Sequence, residues 1–170
     1  MCISICSCAP APKKHLSNYP ELLEGTWIVD IDATLFEHKL GLVPNMSERI
    51  IKEGNLEKDR YEFTDDMLTI YRSFVPGGDQ RNFVVYEEDD SSVIILLSPP
   101  KWTGKKYSRK RPPLKELIRL SGSRAFAGIE YLLGFEFTGK NQVRLFHVTI
   151  DAKGNRLRQF TGIHLIRKTD

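Results

Sequence analysis

The sequence predicts a mainly β protein: an antiparallel closed barrel of about eight strands, with a short helical insert after the first strand and one long basic loop. Three observations carry that expectation. Short runs rich in β-branched and aromatic residues recur from Tyr61 onward, turn-forming residues separate them, and most of the gaps are two to six residues long. Parallel neighbours need crossovers of about a dozen residues or more, so gaps this short must join antiparallel hairpins. With one strand ahead of the series the total is about eight, enough to close a small barrel.

A chain of 170 residues, 41% hydrophobic and 28% charged, has the composition of one globular domain with a single core. No apolar run approaches the roughly 20 residues that a membrane-spanning helix requires. Cys2, Cys6 and Cys8 are the three cysteines, so the body has none for a disulfide or a zinc site. Residues 1–20 read as a signal remnant or disordered tether, with 9–20 a linker, and residues 21–170 as the single barrel domain. The stretch ISICSCAPAPKK resembles the end of a bacterial lipoprotein signal, which makes Cys8 the lipidation candidate. It lacks the basic start and the long apolar stretch of such signals. A start upstream of Met1 implies a periplasmic or membrane-anchored lipoprotein; otherwise the tail is cytoplasmic.

Taken in order, the fold begins near Leu22. LLEGTWIVDI alternates, with Gly25, Trp27, Val29 and Ile31 on one face and Thr26, Ile28 and Asp30 on the other, as a half-buried strand does. Residues 33–53 turn helical: Asn45 and Glu48 form a capping box, Ile50 and Ile51 supply an apolar stripe, and Gly54 is a stop. The strand series follows as YEFT, MLTIYRSF, NFVVYEE, SVIILLS, IEYLLGFEF, QVRLFHVTI and RQFTGIHLIRK. Turns are expected at Asp65-Asp66, Pro76-Gly77-Gly78-Asp79, Asp89–Ser92, Gly139–Asn141 and Asp151–Asn155.

The segment GTWIVDIDATLFEH supports two readings. Its right half, Asp30-x-Asp32-x-Thr34-Leu35, resembles the nucleophile motif of haloacid-dehalogenase-type phosphatases, which implies Asp30 as nucleophile and Asp32 as acid/base with magnesium. Ser98 with Lys101 nearby resembles that family's second motif. The architecture argues otherwise, because residues 61–98 leave no room for the crossover helices of a parallel sheet. Its left half, Gly25-x-Trp27, together with the hairpin series and a last strand ending at Arg167, resembles the calycin group: the lipocalins and their small bacterial relatives. That resemblance implies a structural role for Gly25, Trp27 and Arg167, with the arginine packed across the indole at the closed end. The helical insert is similar to the lid of fatty-acid-binding proteins. The chain departs from lipocalins in having no long helix after the barrel and no evident later motifs.

An eight-stranded barrel is lined by every second residue of each strand and holds either packed side chains or one small ligand. Val93, Ile95 and Leu97, Tyr131, Leu133 and Phe135, and His147 are the candidate ligand-binding residues. His147 is in phase with Leu145 and Thr149, and His164 with Phe160 and Ile166. General acid–base work by either needs a partner, for which Glu130 and Glu136 are candidates. No Ser/His/Asp order, metal-ligand spacing or phosphate loop stands in the sequence, so neither an enzyme, a cofactor nor a metal is expected.

Between Lys101 and Arg124 nine basic residues face one acid, a net +8; with +3 overall, the rest of the chain carries −5. This stretch separates two strands by about 30 residues, far beyond ordinary hairpin length, and such loops are usually functional or disordered. Pro112-Pro113 can open a short helix with Leu114, Leu117, Ile118 and Leu120 as an apolar stripe. Lys105, Lys106, Arg109, Lys110 and Arg111 are candidates for contacting an anionic membrane surface. Trp102 and Tyr107 also admit stacking on nucleic acid, the lesser expectation. The leading expectation is a binding protein for a small apolar or amphipathic ligand, membrane-tethered if Cys8 is lipidated. The alternatives are a polyanion binder acting through 101–124 and a magnesium-dependent phosphatase using Asp30 and Asp32. Oligomeric state is not specified.

Overall fold

Three tight reversals of the chain are each built by an aspartate suited to the turn. Asp65 takes φ +46°, a left-handed conformation that aspartate tolerates, and the chain reverses between Thr64 and Met67. Asp89 organises the next reversal by accepting from the Ser91 and Ser92 amides at 2.9 and 2.7 Å and from the Ser92 hydroxyl at 2.8 Å. Asp151 does the same with the Lys153 and Asn155 amides at 2.9 and 2.8 Å.

These turns link the strands of the computed structural model, which describes residues 19–41, 55–72, 75–99, 113, 115, 132–151 and 153–169. In chain order the elements are α1 (Tyr19–Leu23), β1 (Gly25–Val29), α2 (Ile31–Lys39), a 3-10 turn (Leu56–Lys58), β2 (Arg60–Thr64), β3 (Met67–Arg72) and β4 (Val75–Glu88). They continue as β5 (Ser92–Leu97), β6 (Leu132–Gly139), β7 (Gln142–Ile150) and β8 (Arg156–Arg167). Every strand pairs antiparallel with its successor, and β8 returns to β1 through Trp27↔Arg167, Ile28↔Ile166 and Val29↔Leu165, closing the barrel. The turns β2–β3, β4–β5 and β6–β7 lie at the end where β1 starts. The turns β3–β4 and β7–β8 lie at the opposite, far end, as do the strand ends Leu97 and Leu132 that flank residues 98–131.

Strand alternation sorts the side chains into two layers. The inward set includes Trp27, Val29, Tyr61, Phe63, Leu68, Ile70, Phe83, Val93, Ile95, Leu97, Leu133, Phe135, Val143, Leu145 and Leu165, all buried in one cluster. Phe63 meets Phe83 and Phe135 edge to face at centroid distances of 5.7 and 5.4 Å. Such pairs add about 0.5–1.5 kcal/mol each beyond their buried area. A second cluster, Ile94, Leu96, Leu132, Phe146, Val148 and Ile150, lies on the outer face of β5–β7. Arginines of β7 and β8 lie across its aromatic rings: Arg144 over Phe160, Arg158 over Phe146 and Arg156 over Tyr86. Ser92–Leu97 is buried on both faces for this reason.

Several boundaries differ from the sequence expectation. The chain is already helical at Tyr19, three residues before the expected start, so Leu22 and Leu23 belong to α1 rather than to the first strand. That strand ends at Val29, because Asp30 caps α2 by accepting from the Ala33 amide at 3.0 Å, and Ile31 becomes helical. The helical segment expected over 33–53 ends at Lys39 in α2, with Leu40 as its C-cap; Asn45, Glu48, Ile50, Ile51 and Gly54 lie outside the described residues. Pro76–Asp79 is not a turn but part of β4, and the chain reverses between Arg72 and Val75 instead. Gly77 and Gly78 hold φ +79° and +76°, so glycine serves here to bend a strand rather than to end it.

Candidate functional site

The barrel interior is the candidate site, and its two ends differ in chemistry. At the end where β1 starts, α1 delivers Leu23 so that its carbonyl accepts from the Trp27 indole N–H at 2.7 Å. The Arg167 guanidinium stands 4.8 Å from the Trp27 ring and also donates to the Leu22 carbonyl. Trp27 and Leu23 are fully buried, which closes this end. Gly25, at φ +112°, supplies the conformation in which the chain leaves α1 and enters β1.

Midway, the inward residues are apolar. Val93, Ile95, Leu97, Leu133 and Phe135, five of the seven proposed ligand-lining residues, face inward and are buried. His147 stands opposite Leu133 in the ladder and shares its inward face. Tyr131 lies outside the described residues.

Toward the far end the inward face turns polar. Register places Asp79 opposite Ile70 and Arg81 opposite Leu68, both on the inward side of β4. Arg81 is 6% exposed, and its Nε and Nη2 both donate to Asp79 Oδ2 at 2.8 Å. Gln159 stands opposite His147 and Leu157 opposite Thr149, continuing the inward series of β8. Gln159 is exposed and Leu157 is 59% exposed, so the inward face of β8 meets water toward this end.

The remaining candidates fall elsewhere. His164 points outward from β8 and meets Glu37 of α2, not Glu130 or Glu136. Asp30 is occupied as a helix cap and Asp32 is exposed on the first turn of α2. The closed antiparallel barrel supplies no carboxyl ends of parallel strands, which the phosphatase arrangement of these two acids requires. Lys105, Lys106, Arg109, Lys110, Arg111 and Cys8 lie outside the described residues. The carboxylates with displaced titration are at turns. Burial raises the Asp89 pKa, but hydrogen bonds from Arg158, Ser91 and Ser92 outweigh it and hold the group well below the usual range. Asp151 is lowered by the Asn155 side chain and amide. A groove of about 430 Å³ on the outer wall, between β1, β2 and the 3-10 turn, mixes Lys58, Arg60 and Lys168 with Glu57, Asp59 and Glu62 and so favours neither sign of charge.

Reading the sequence alone missed the Asp79–Arg81 pair and Glu37. The first could have been found by running the alternation of Phe83 backward through Arg81 to Asp79. Glu37 carried no such signal, since it becomes buried only through packing of α2 on the wall. No family model, curated protein or solved structure matches this chain. Function is therefore read from geometry.

Proposed function

We propose that this protein is a calycin-like binding module for a small amphipathic ligand, held in the barrel with its apolar body beside Ile95, Leu97, Leu133 and Phe135. Its polar head faces Asp79 and Arg81. One observation carries this reading: a buried arginine, paired with a partly exposed aspartate, stands on the inward face beyond the apolar layer, toward the end where β8 meets water. Burying the guanidinium costs about as much as its attraction to the carboxylate returns, and an apolar side chain of similar volume often serves stability as well or better. A ligand headgroup gives the pair a use that stability alone does not. A mostly apolar lining with a few placed polar groups is also the usual character of small-molecule sites, and barrel mouths favour them. The indole–guanidinium contact at the closed end supports the kinship with calycins.

The test is a titration with long-chain fatty acids and the matched alcohols, followed by calorimetry and, in a Trp102→Phe background, through Trp27 emission. Saturable binding that persists at high ionic strength, and that Leu133→Trp abolishes by filling the interior, supports the reading. Arg81→Met weakens acids more than alcohols. Binding only of polyanions, collapsing as salt rises, transfers function to residues 101–124. Absence of any binding by the folded protein overturns the proposal.

A further inference from the structure

Helix α2 has only nine residues, too few to be stable by itself in water. It depends on docking against β7 and β8. Among its residues only Thr34, Leu35 and Glu37 are buried, while Phe36 and Leu40 are 65% and 56% exposed. The apolar contribution to docking comes from Leu35 and from Ile31, which packs on the core cluster, and the polar anchor is a carboxylate. Glu37 is 5% exposed; its Oε1 accepts from Arg144 Nη2 on β7 and its Oε2 meets His164 Nε2 on β8. Arg144 is held in turn by the Phe160 ring at 3.7 Å and stands 3.9 Å from Glu136 of β6. The Asp30 amide donates to the His164 carbonyl at 2.9 Å, and the His164 amide donates to Thr34 Oγ1 at 3.2 Å. One residue of β8 therefore receives the helix through its backbone and its side chain together.

We propose that the Glu37–His164 contact makes the fastening of α2 to the barrel wall dependent on pH, whether or not the interior binds a ligand. The two partners of Glu37 differ in kind. Arg144 is a permanent cation, whereas an imidazole changes charge between about pH 5 and 8. With His164 protonated, the buried carboxylate lies between two cations. With His164 neutral, it keeps Arg144 and at most a neutral hydrogen bond, roughly half as strong as a charge-assisted one. The fastening is stronger with the imidazole charged and weaker with it neutral. Among the described residues, the other charged groups around this contact include Glu136 beyond Arg144, and Asp32, His38 and Lys39 on α2 itself.

Hydrogen exchange of the α2 amides, corrected for intrinsic rates and measured from pH 5.5 to 8.5, tests this. Protection of Leu35–Lys39 falls roughly fivefold as pH rises, the upper end for a partly exposed ion pair. The β5 and β6 amides open only by global unfolding, which also breaks the contact, so their protection falls by no more than the same factor and from a higher level. His164→Gln removes the dependence, Glu37→Gln lowers protection at every pH and flattens it, and His38→Gln leaves it intact. A flat wild-type profile, a dependence that survives His164→Gln, or one that His38→Gln abolishes overturns the proposal. If Glu37→Gln does not fold, the two histidine variants still decide.

Discussion

Replacing Gly134 with alanine is the most stringent test of the outer layer. A Cβ built at Gly134 lies 2.1, 2.2 and 2.5 Å from three carbons of the Phe146 ring. Carbon atoms rest at about 3.5–4.0 Å, so the ring has to retreat by about 1.5 Å. It has nowhere easy to go. Phe146 is fully buried, meets Phe160 at a centroid distance of 5.6 Å and lies beneath Arg158 at 5.0 Å. Overpacking of this kind costs about 1–3 kcal/mol, and disturbing the aromatic pair adds about 0.5–1.5 kcal/mol. Alanine recovers about 0.5–1 kcal/mol through its lower backbone entropy in a strand. The net expectation is a loss of about 2–3 kcal/mol, read as a lower urea midpoint with an unchanged slope. At about 2–4 °C per kcal/mol for a chain of this size, Tm falls by about 4–12 °C. Phe146→Leu vacates the space the new methyl needs, so in a double-mutant cycle the pair is less damaging than the sum of its parts. Gly134→Ala at wild-type stability, or an additive cycle, would refute the contact of Phe146 with the Gly134 backbone.

Two further outcomes follow from the closed end and the turns. Arg167→Met removes the cation over Trp27 and the donor to the Leu22 carbonyl while keeping a long apolar stem; the expected loss is about 1–2 kcal/mol in urea unfolding, together with a change in Trp27 emission. Asp89 titrates below its unfolded range, so its contribution is present above about pH 3.9 and is lost as pH falls toward its folded pKa. Asp89→Asn therefore lowers stability near neutral pH and makes the acid limb of the stability curve shallower, by an amount kept small by the exposure of the Arg158 pair.

Alternation made much of the barrel legible. Val93, Ile95 and Leu97 share one face because β5 keeps a two-residue period, though which face turns inward is set by packing, and Trp27 and Arg167 meet because the first and last strands are neighbours in a closed sheet. What periodicity cannot carry is a residue whose environment arises from non-local packing. Ser92–Leu97 looks apolar on both faces, but only the coordinates reveal that the outer face has its own cluster and that Gly134 makes room for a ring within it. Asp79 and Arg81 were hidden behind Pro76-Gly77-Gly78, which has the composition of a turn and the conformation of a bent strand. Glu37 stands on a short helix with no clear apolar stripe, so its burial follows from Arg144 and His164, more than 100 positions away.

The seam between β1 and β8 has a consequence for how the molecule assembles. Its register joins residues near position 27 to residues near position 167, whereas every tight hairpin joins residues only a few positions apart. Local reversals form early and cheaply, but bringing such distant partners together carries the largest loss of chain entropy. A ribosome must finish the eighth strand before the first has both of its neighbours.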